Sequence, residues 1–152
     1  MTEHHQPSLV EAQELADACA KAMYSRDHAA QALGITIVNV RPGYALLSMM
    51  VRKDMVNGYD ICHGGMLFTL ADTAFAYSCN SYNKATVASA CHIDFLAPGM
   101  LGATLSAEGV ERWLSGRTGV YDVTIRDDSG KVLALFRGKS HRLNGDVMTG
   151  LQ

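Results

Sequence analysis

Two features of this 152-residue sequence carry the residue types of a reaction centre. One is the run Asn57-Gly58-Tyr59-Asp60-Ile61-Cys62-His63-Gly64-Gly65; the other is Asp72, inside the apolar stretch that follows. An aspartate between Leu70-Ala71 and Thr73-Ala74 is a poor mid-helix residue and an expensive one to bury. Its presence is offset by a neighbour that it caps or pairs with, by exposure to solvent, or by catalytic use, since perturbed acids cluster at active sites. His63-Gly64-Gly65 stands at the entrance to the predicted helix, where the first backbone N–H groups lack internal partners and the helix dipole is positive. Glycines let a ligand oxygen approach those amides, so the entrance fits an oxyanion hole; it also fits a plain tight turn. Asp72 comes eight residues after Gly64, a little over two turns, so that a carboxylate and a helix-end donor could flank one substrate.

The elements that position these residues follow from hydrophobic period and turn punctuation. Residues 64 to 82 form the longest apolar stretch, rich in Ala, Leu, Met and Phe and apolar nearly all the way round, which predicts a buried helix. Upstream, residues 1 to 33 read as an N-terminal helical segment. An amphipathic helix spans 9 to 24 with Leu15, Cys19 and Met23 at four-residue spacing, and a short one spans Asp27 to Leu33 before Gly34. Two strands, Ile35 to Val40 and Tyr44 to Val51, meet at Pro42-Gly43, the second apolar on both faces and so expected to be covered on both. Four more strands follow, at Thr86 to Leu96, Ala103 to Trp113, Thr118 to Arg126 and Lys131 to Arg142, read as a meander. Residues 143 to 152 show no apolar period and are expected to be a loose tail. With no helices between the later strands a parallel sheet is excluded. The fold class is α+β: about six antiparallel strands wrapped around one long central helix, with short N-terminal helices, in a single domain over 1 to 152. The far face of such a sheet stays partly apolar, and a second copy would cover it.

Composition narrows the function. Thirteen Lys plus Arg against fifteen Asp plus Glu give a net charge of −2, without the basic footprint of a nucleic-acid binder. Cys19, Cys62, Cys79 and Cys91 form no C-x-x-C pair and no tetrahedral metal pattern, so neither disulfides nor a metal site is expected. The first residues lack the cationic region of a secretory leader, and no apolar run reaches membrane-spanning length, which reads as a cytoplasmic protein. Cys62 beside His63 reads as small apolar filler, His92 and Asp94 as a hydrogen-bonded pair in core or interface, and Trp113, Tyr121 and Phe136 as core aromatics. Arg137, Lys139 and His141 share one face of the last strand, continued by Leu133 and Leu135. That face suits an anionic ligand or a solvated strand end.

Asn57-Gly58, His63-Gly64-Gly65, Ala71-Asp72-Thr73 and the strand ending Asp94-Phe95-Leu96-Ala97-Pro98-Gly99 together resemble the hotdog-fold acyl-CoA thioesterases. The resemblance is closest to the PaaI type of phenylacetate degradation, and it runs from about Ala30 to about Gly145. It implies homodimers pairing into homotetramers, with sites at the subunit interface. It implies that Asp72 attacks the thioester or activates water, that the Gly64 N–H polarises the carbonyl, and that Asn57 and His63 orient water or thioester. It further implies that Gly65, Pro98, Gly116, Arg117 and Thr118 lie along the pantetheine and nucleotide of coenzyme A, with Arg137 and Lys139 as cationic contacts. The implied reaction is hydrolysis of aryl-acetyl-CoA esters such as phenylacetyl-CoA, with no cofactor beyond the coenzyme A of the substrate. The alternatives are a broader acyl-CoA, acyl-carrier-protein or naphthoyl-CoA thioesterase, or a non-catalytic acyl-CoA sensor. A hydratase pairs its Asp with a His five positions on, and that position here is Tyr77.

Overall fold

The computed structural model describes residues 6 to 151; the reading of the N-terminus as no secretory leader rests partly on residues 1 to 5, which lie outside them. Helix α1, Leu9–Tyr24, begins at a reciprocal cap: the Ser8 hydroxyl accepts from the Glu11 N–H at 3.2 Å while the Glu11 carboxylate accepts from the Ser8 N–H at 2.7 Å. It buries Ala16, Cys19 and Ala20. Helix α2, His28–Ala32, is capped by Asp27. Strands β1, Thr36–Arg41, and β2, Tyr44–Met50, form the expected hairpin. Of β2 only Ala45, Leu47 and Met49 are buried, and Met50 is exposed, so the expectation of cover on both faces is not met within one chain.

The buried helix is α3, Gly64–Cys79. It stops three residues short of the predicted end because the Asn80 carboxamide turns the chain into the next strand, donating to the carbonyls of Ala76 and Thr86 and accepting from the Thr86 N–H at 2.9 Å. Strands β3, Thr86–Phe95, β4, Thr104–Ser115, β5, Thr118–Arg126, and β6, Val132–Arg142, complete one antiparallel sheet of order β1-β2-β4-β5-β6-β3. The predicted meander therefore holds for β4-β5-β6, while β3 crosses to pair with β6 and forms a sheet edge. Phe75 of α3 packs on Tyr121 and Phe136, ring centres 5.6 and 5.9 Å away, and Phe68 meets Phe136 edge-on at 5.5 Å. A methyl group on Gly138 would stand 2.8 Å from the Phe75 ring, so that glycine sets the approach of helix to sheet.

Bulges overturn two alternation readings. The register shift between Glu111 and Trp113 turns Trp113 outward, 54% exposed, instead of into the core. Glu111 turns inward to accept from the Tyr121 hydroxyl at 2.7 Å and that of Tyr82 at 3.0 Å. The shift at Ile125/Arg126 buries Leu133 while Leu135 stays exposed, so the two do not share a face. The segment after Arg142 is not a loose tail. Strands β7, Gly145–Asp146, and β8, Gly150–Leu151, pair; Val147 is buried, and the N–H groups of Val147 and Met148 both donate to the Asn83 side chain at 3.1 Å.

Candidate active site

The entrance to α3 is built by His63. Its ring Nδ1 accepts from the Gly65 N–H at 3.2 Å, and its carbonyl accepts from Met66 at 2.9 Å and Leu67 at 3.3 Å. Of the first-turn donors, the Gly64 N–H alone keeps no protein partner among the described residues. A ring that accepts at Nδ1 carries its neutral-form proton on Nε2, so His63 offers a second outward donor beside it.

The preceding loop is held by Asn57. Its Oδ1 accepts from the N–H groups of Tyr59 at 2.9 Å and Ile61 at 3.3 Å, its own N–H reaches the Ile61 carbonyl at 2.9 Å, and Asp60 closes the turn at φ 57°. The Cys62 N–H donates to Gly99 at 2.7 Å and the His63 N–H to Met55 at 2.8 Å, which fixes the loop to the body of the protein. Of the polar groups of Asn57, only Nδ2 has no partner among the described residues.

Asp72 is half-buried on α3, with no hydrogen bond to any described residue. Burial pushes its carboxyl above the ordinary aspartate value. The thiols of Cys79 and Cys91 lie near enough that its charge adds to the burial raising them both, Cys79 up to about 12. These thiols and the buried Cys62, whose thiol burial also raises, are poor nucleophiles.

The spacing of Gly64 and Asp72 bears on how the two could meet one substrate. A carboxylate within about 3 Å of a carbonyl carbon and an N–H within about 3 Å of its oxygen stand no more than about 7 Å apart, and a water between carboxylate and carbon lengthens that span to about 10 Å. Eight residues of one continuous helix separate them by about 12 Å of rise. Along one helix the two positions therefore stand further apart than direct attack on one thioester needs.

Tyr77, five residues past Asp72, is 2% exposed and donates to Asp27 at 3.2 Å, where it ties α3 to α2. No second acid or base therefore stands at the hydratase position. Of the expected anion contacts, Arg137 is held by Asp122 at 2.7 and 2.9 Å, with Arg112 on the same carboxylate at 3.0 Å; Lys139 is exposed. These partners hold the Asp122 carboxyl below its ordinary value. Arg117 donates to the Arg142 carbonyl and to Asn144, both at 2.9 Å, and with Arg142 and Lys84 lines a cavity of about 360 Å³. Lys84 and Arg142 escaped the sequence reading because the β3-β6 pairing that brings them to this end of the sheet is non-local. Gly116 makes the positive-φ turn between β4 and β5, and Thr118 follows it opposite Ser115. Pro98 lines a cleft of about 440 Å³ with Gly64, Ile61, Leu67, Phe95 and Leu96. His92 and Asp94 pair at 3.1 Å on the open surface, not in the core. Among the described residues no His, Cys, Asp and Glu cluster has metal-holding geometry, and no helix is long and apolar enough to cross a membrane.

Comparison with known proteins places this arrangement. Residues 59–134 match the family model of the thioesterase superfamily. The acyl-coenzyme A thioesterase PaaI of Escherichia coli is 54% identical over 128 residues, 84% of this chain and 91% of that protein. The solved structure of E. coli PaaI, from the phenylacetic acid degradation operon, superposes with a TM-score of 0.88 at 52% identity, covering 91% of this chain and 99% of that one. A hypothetical thioesterase protein of Streptococcus pneumoniae solved with coenzyme A superposes with a TM-score of 0.76 at 25% identity, covering 82% of this chain and 98% of that one. With its family model matched, a relative identical at more than half of the aligned positions, and a six-stranded sheet around one helix, the chain belongs to the hotdog-fold thioesterase superfamily.

Proposed function

We propose that the protein is a cytoplasmic acyl-CoA thioesterase of aromatic degradation, hydrolysing phenylacetyl-CoA and hydroxylated aryl-acetyl-CoA esters to the free acid and coenzyme A. The observation that carries this reading is the identity to the E. coli acyl-CoA thioesterase across the segment that holds Asn57, His63, Gly64 and Asp72. Free donors at one end of α3 and an unpartnered carboxylate two turns on suit thioester hydrolysis.

In this reading the carbonyl oxygen takes the Gly64 N–H, which stabilises the oxyanion as the tetrahedral intermediate forms. Asn57 Nδ2 and His63 Nε2–H orient the thioester or the attacking water, while Gly65, whose N–H is held by His63, shapes the turn. Asp72 acts as general base toward water, or as nucleophile; its raised basicity favours either. The C–S bond breaks and the coenzyme A thiolate takes the proton that Asp72 drew from water; where Asp72 attacks directly, water then hydrolyses the acyl–Asp72 anhydride to the free acid. Because 12 Å of helix separates Gly64 from Asp72, the acid of one site comes from a second copy whose α3 runs antiparallel, in a homodimer that pairs further into a tetramer. The exposed edge strand β3 suits that pairing. Arg117, with Lys84 and Arg142, receives the coenzyme A phosphates; Gly116 and Thr118 line the approach and Pro98 the pantetheine. Arg137 stays with Asp122, and Lys139 is a peripheral cation. No resident cofactor is needed, since coenzyme A enters with the substrate.

The test is thiol release from phenylacetyl-CoA, hydroxyphenylacetyl-CoA, a medium-chain acyl-CoA and acetyl-CoA. Aryl-acetyl esters are expected to give the highest kcat/KM. Acyl-CoA binding without hydrolysis would instead favour a sensor.

A further inference from the structure

Gly64 has ordinary helical backbone angles, so no left-handed conformation demands a glycine there. What demands it is space. A Cβ on Gly64 would stand 3.1 Å from Cζ of Phe95 and 3.4 and 3.5 Å from its two Cε atoms, whereas one on Gly65 would meet only the His63 ring at 3.5 Å. The tip of the Phe95 ring therefore rests on the α-carbon of Gly64, beside the one helix-entrance N–H without a protein partner.

The ring stands on a rigid mount. Phe95 ends β3 opposite Ala134 in the ladder to β6, and the next two N–H groups, of Leu96 and Ala97, both donate to the Leu133 carbonyl at 2.8 and 3.2 Å. Phe95 is nevertheless 54% exposed, with Leu96 at 57% beside it. The cleft around Gly64 is walled by Ile61, Leu67, Phe95, Leu96 and Pro98, and the N–H groups of Cys62, Leu96 and Ala97 are already paired. Within this apolar collar the Gly64 N–H is the open donor.

We infer that Phe95 is a positioning residue for the oxyanion site: its ring, seated on Gly64, fixes the first turn of α3 and screens the Gly64 N–H from bulk water until a thioester oxygen takes it. The inference rests on Gly64 being the carbonyl donor in the proposed hydrolase. A donor held in place without bulk water strengthens toward the developing charge, and displacement of such a group by about 1 Å costs on the order of 100-fold in rate.

Three variants of the full-length protein test it, Phe95→Ala, Gly64→Ala and the double variant, with thiol release from phenylacetyl-CoA and amide hydrogen exchange at Gly64 as readouts. Phe95→Ala is expected to lower kcat about tenfold with KM within about twofold, and Phe95→Leu to recover part of the loss. Gly64→Ala, whose methyl group meets the ring, is expected to fall about 100-fold, and the double variant to exceed Gly64→Ala by about tenfold, since the collision is gone. Exchange at Gly64 is expected to accelerate about tenfold in Phe95→Ala. Additive losses in the double variant, a change in KM alone, or unchanged exchange would overturn the inference. If the unaltered protein hydrolyses no acyl-CoA, the function falls, while the exchange measurement still decides whether Phe95 screens Gly64.

Discussion

Asp72→Asn and Gly64→Ala preparations, each reduced at least about 100-fold alone, are expected to regain activity when their subunits are mixed. The reason is the helix: about 12 Å of rise separates the two positions in one chain, against the roughly 7 Å spanned in direct attack on a thioester, or about 10 Å with a water between. If each site takes Gly64 from one subunit and Asp72 from the other, a mixed dimer contains one site with both lesions and one with neither. Random reassociation makes about half the dimers mixed, and half of their sites are intact, so recovery approaches about a quarter of wild-type turnover. A site contained in one chain would recover nothing, since every chain carries a lesion. The assay is thiol release from phenylacetyl-CoA after joint unfolding and refolding of differently tagged chains, with mixed dimers counted by two-tag purification. Mixed dimers present in the expected proportion but turning over no faster than the Gly64→Ala preparation alone would refute the split site.

Other consequences follow from individual groups. Asp72→Asn should remove hydrolysis by about 1,000-fold while raising Tm at neutral pH. The folded carboxyl binds its proton more tightly than the unfolded one, whose value is near 3.8, so ionisation costs stability as pH rises through that window. The gain should disappear in scans run below it. In wild type the acid limb of kcat/KM should fall above the ordinary carboxylate range, and a limb at or below 3.8 would deny Asp72 the role of base. Replacing Lys84 and Arg142 together by Gln should raise KM for phenylacetyl-CoA about tenfold and leave a short pantetheine-type thioester unaffected, whereas Arg137→Gln should change neither. Gly138→Ala should lower stability by about 1–3 kcal/mol in denaturant melts, because the methyl group meets the Phe75 ring at 2.8 Å.

The sequence disclosed those parts of the fold that local pattern encodes. The apolar run after His63 announces α3, and Ser8 with Glu11 starts α1 as a cap should. Long-range partners decided the rest. Asn80 ends α3 by bonding Thr86 across a loop, Asn83 pins the C-terminal hairpin from 64 residues away, and β3 reaches its neighbour β6 past two other strands. The parity of Trp113 and Leu133 was illegible because one bulged residue inverts every side chain after it, and nothing in the alternation marks a bulge. The candidate site divides the same way. His63-Gly64-Gly65 and Asp72 stand out by type and spacing, but the role of Phe95 appears only when β3 brings its ring onto Gly64.

The site is distinguished by what its polar groups leave unpaired. Asn57 gives its Oδ1 to its own loop, Gly65 gives its N–H to His63, Tyr77 gives its hydroxyl to Asp27, and Arg137 gives its guanidinium to Asp122. These bonds set geometry and cannot take part in a reaction without loosening the fold. Around the entrance to α3 and along its exposed face, the Gly64 N–H, the outward nitrogen of His63, the Asn57 amide nitrogen and the Asp72 carboxylate have no partner among the described residues. In the proposed hydrolase three of these donate toward developing negative charge, and one accepts a proton or attacks. Thioester hydrolysis requires that asymmetry, because charge appears on the carbonyl oxygen as a proton leaves water. A dehydratase would require a second proton-transfer group across from Asp72, and Tyr77, buried and tied to Asp27, supplies none.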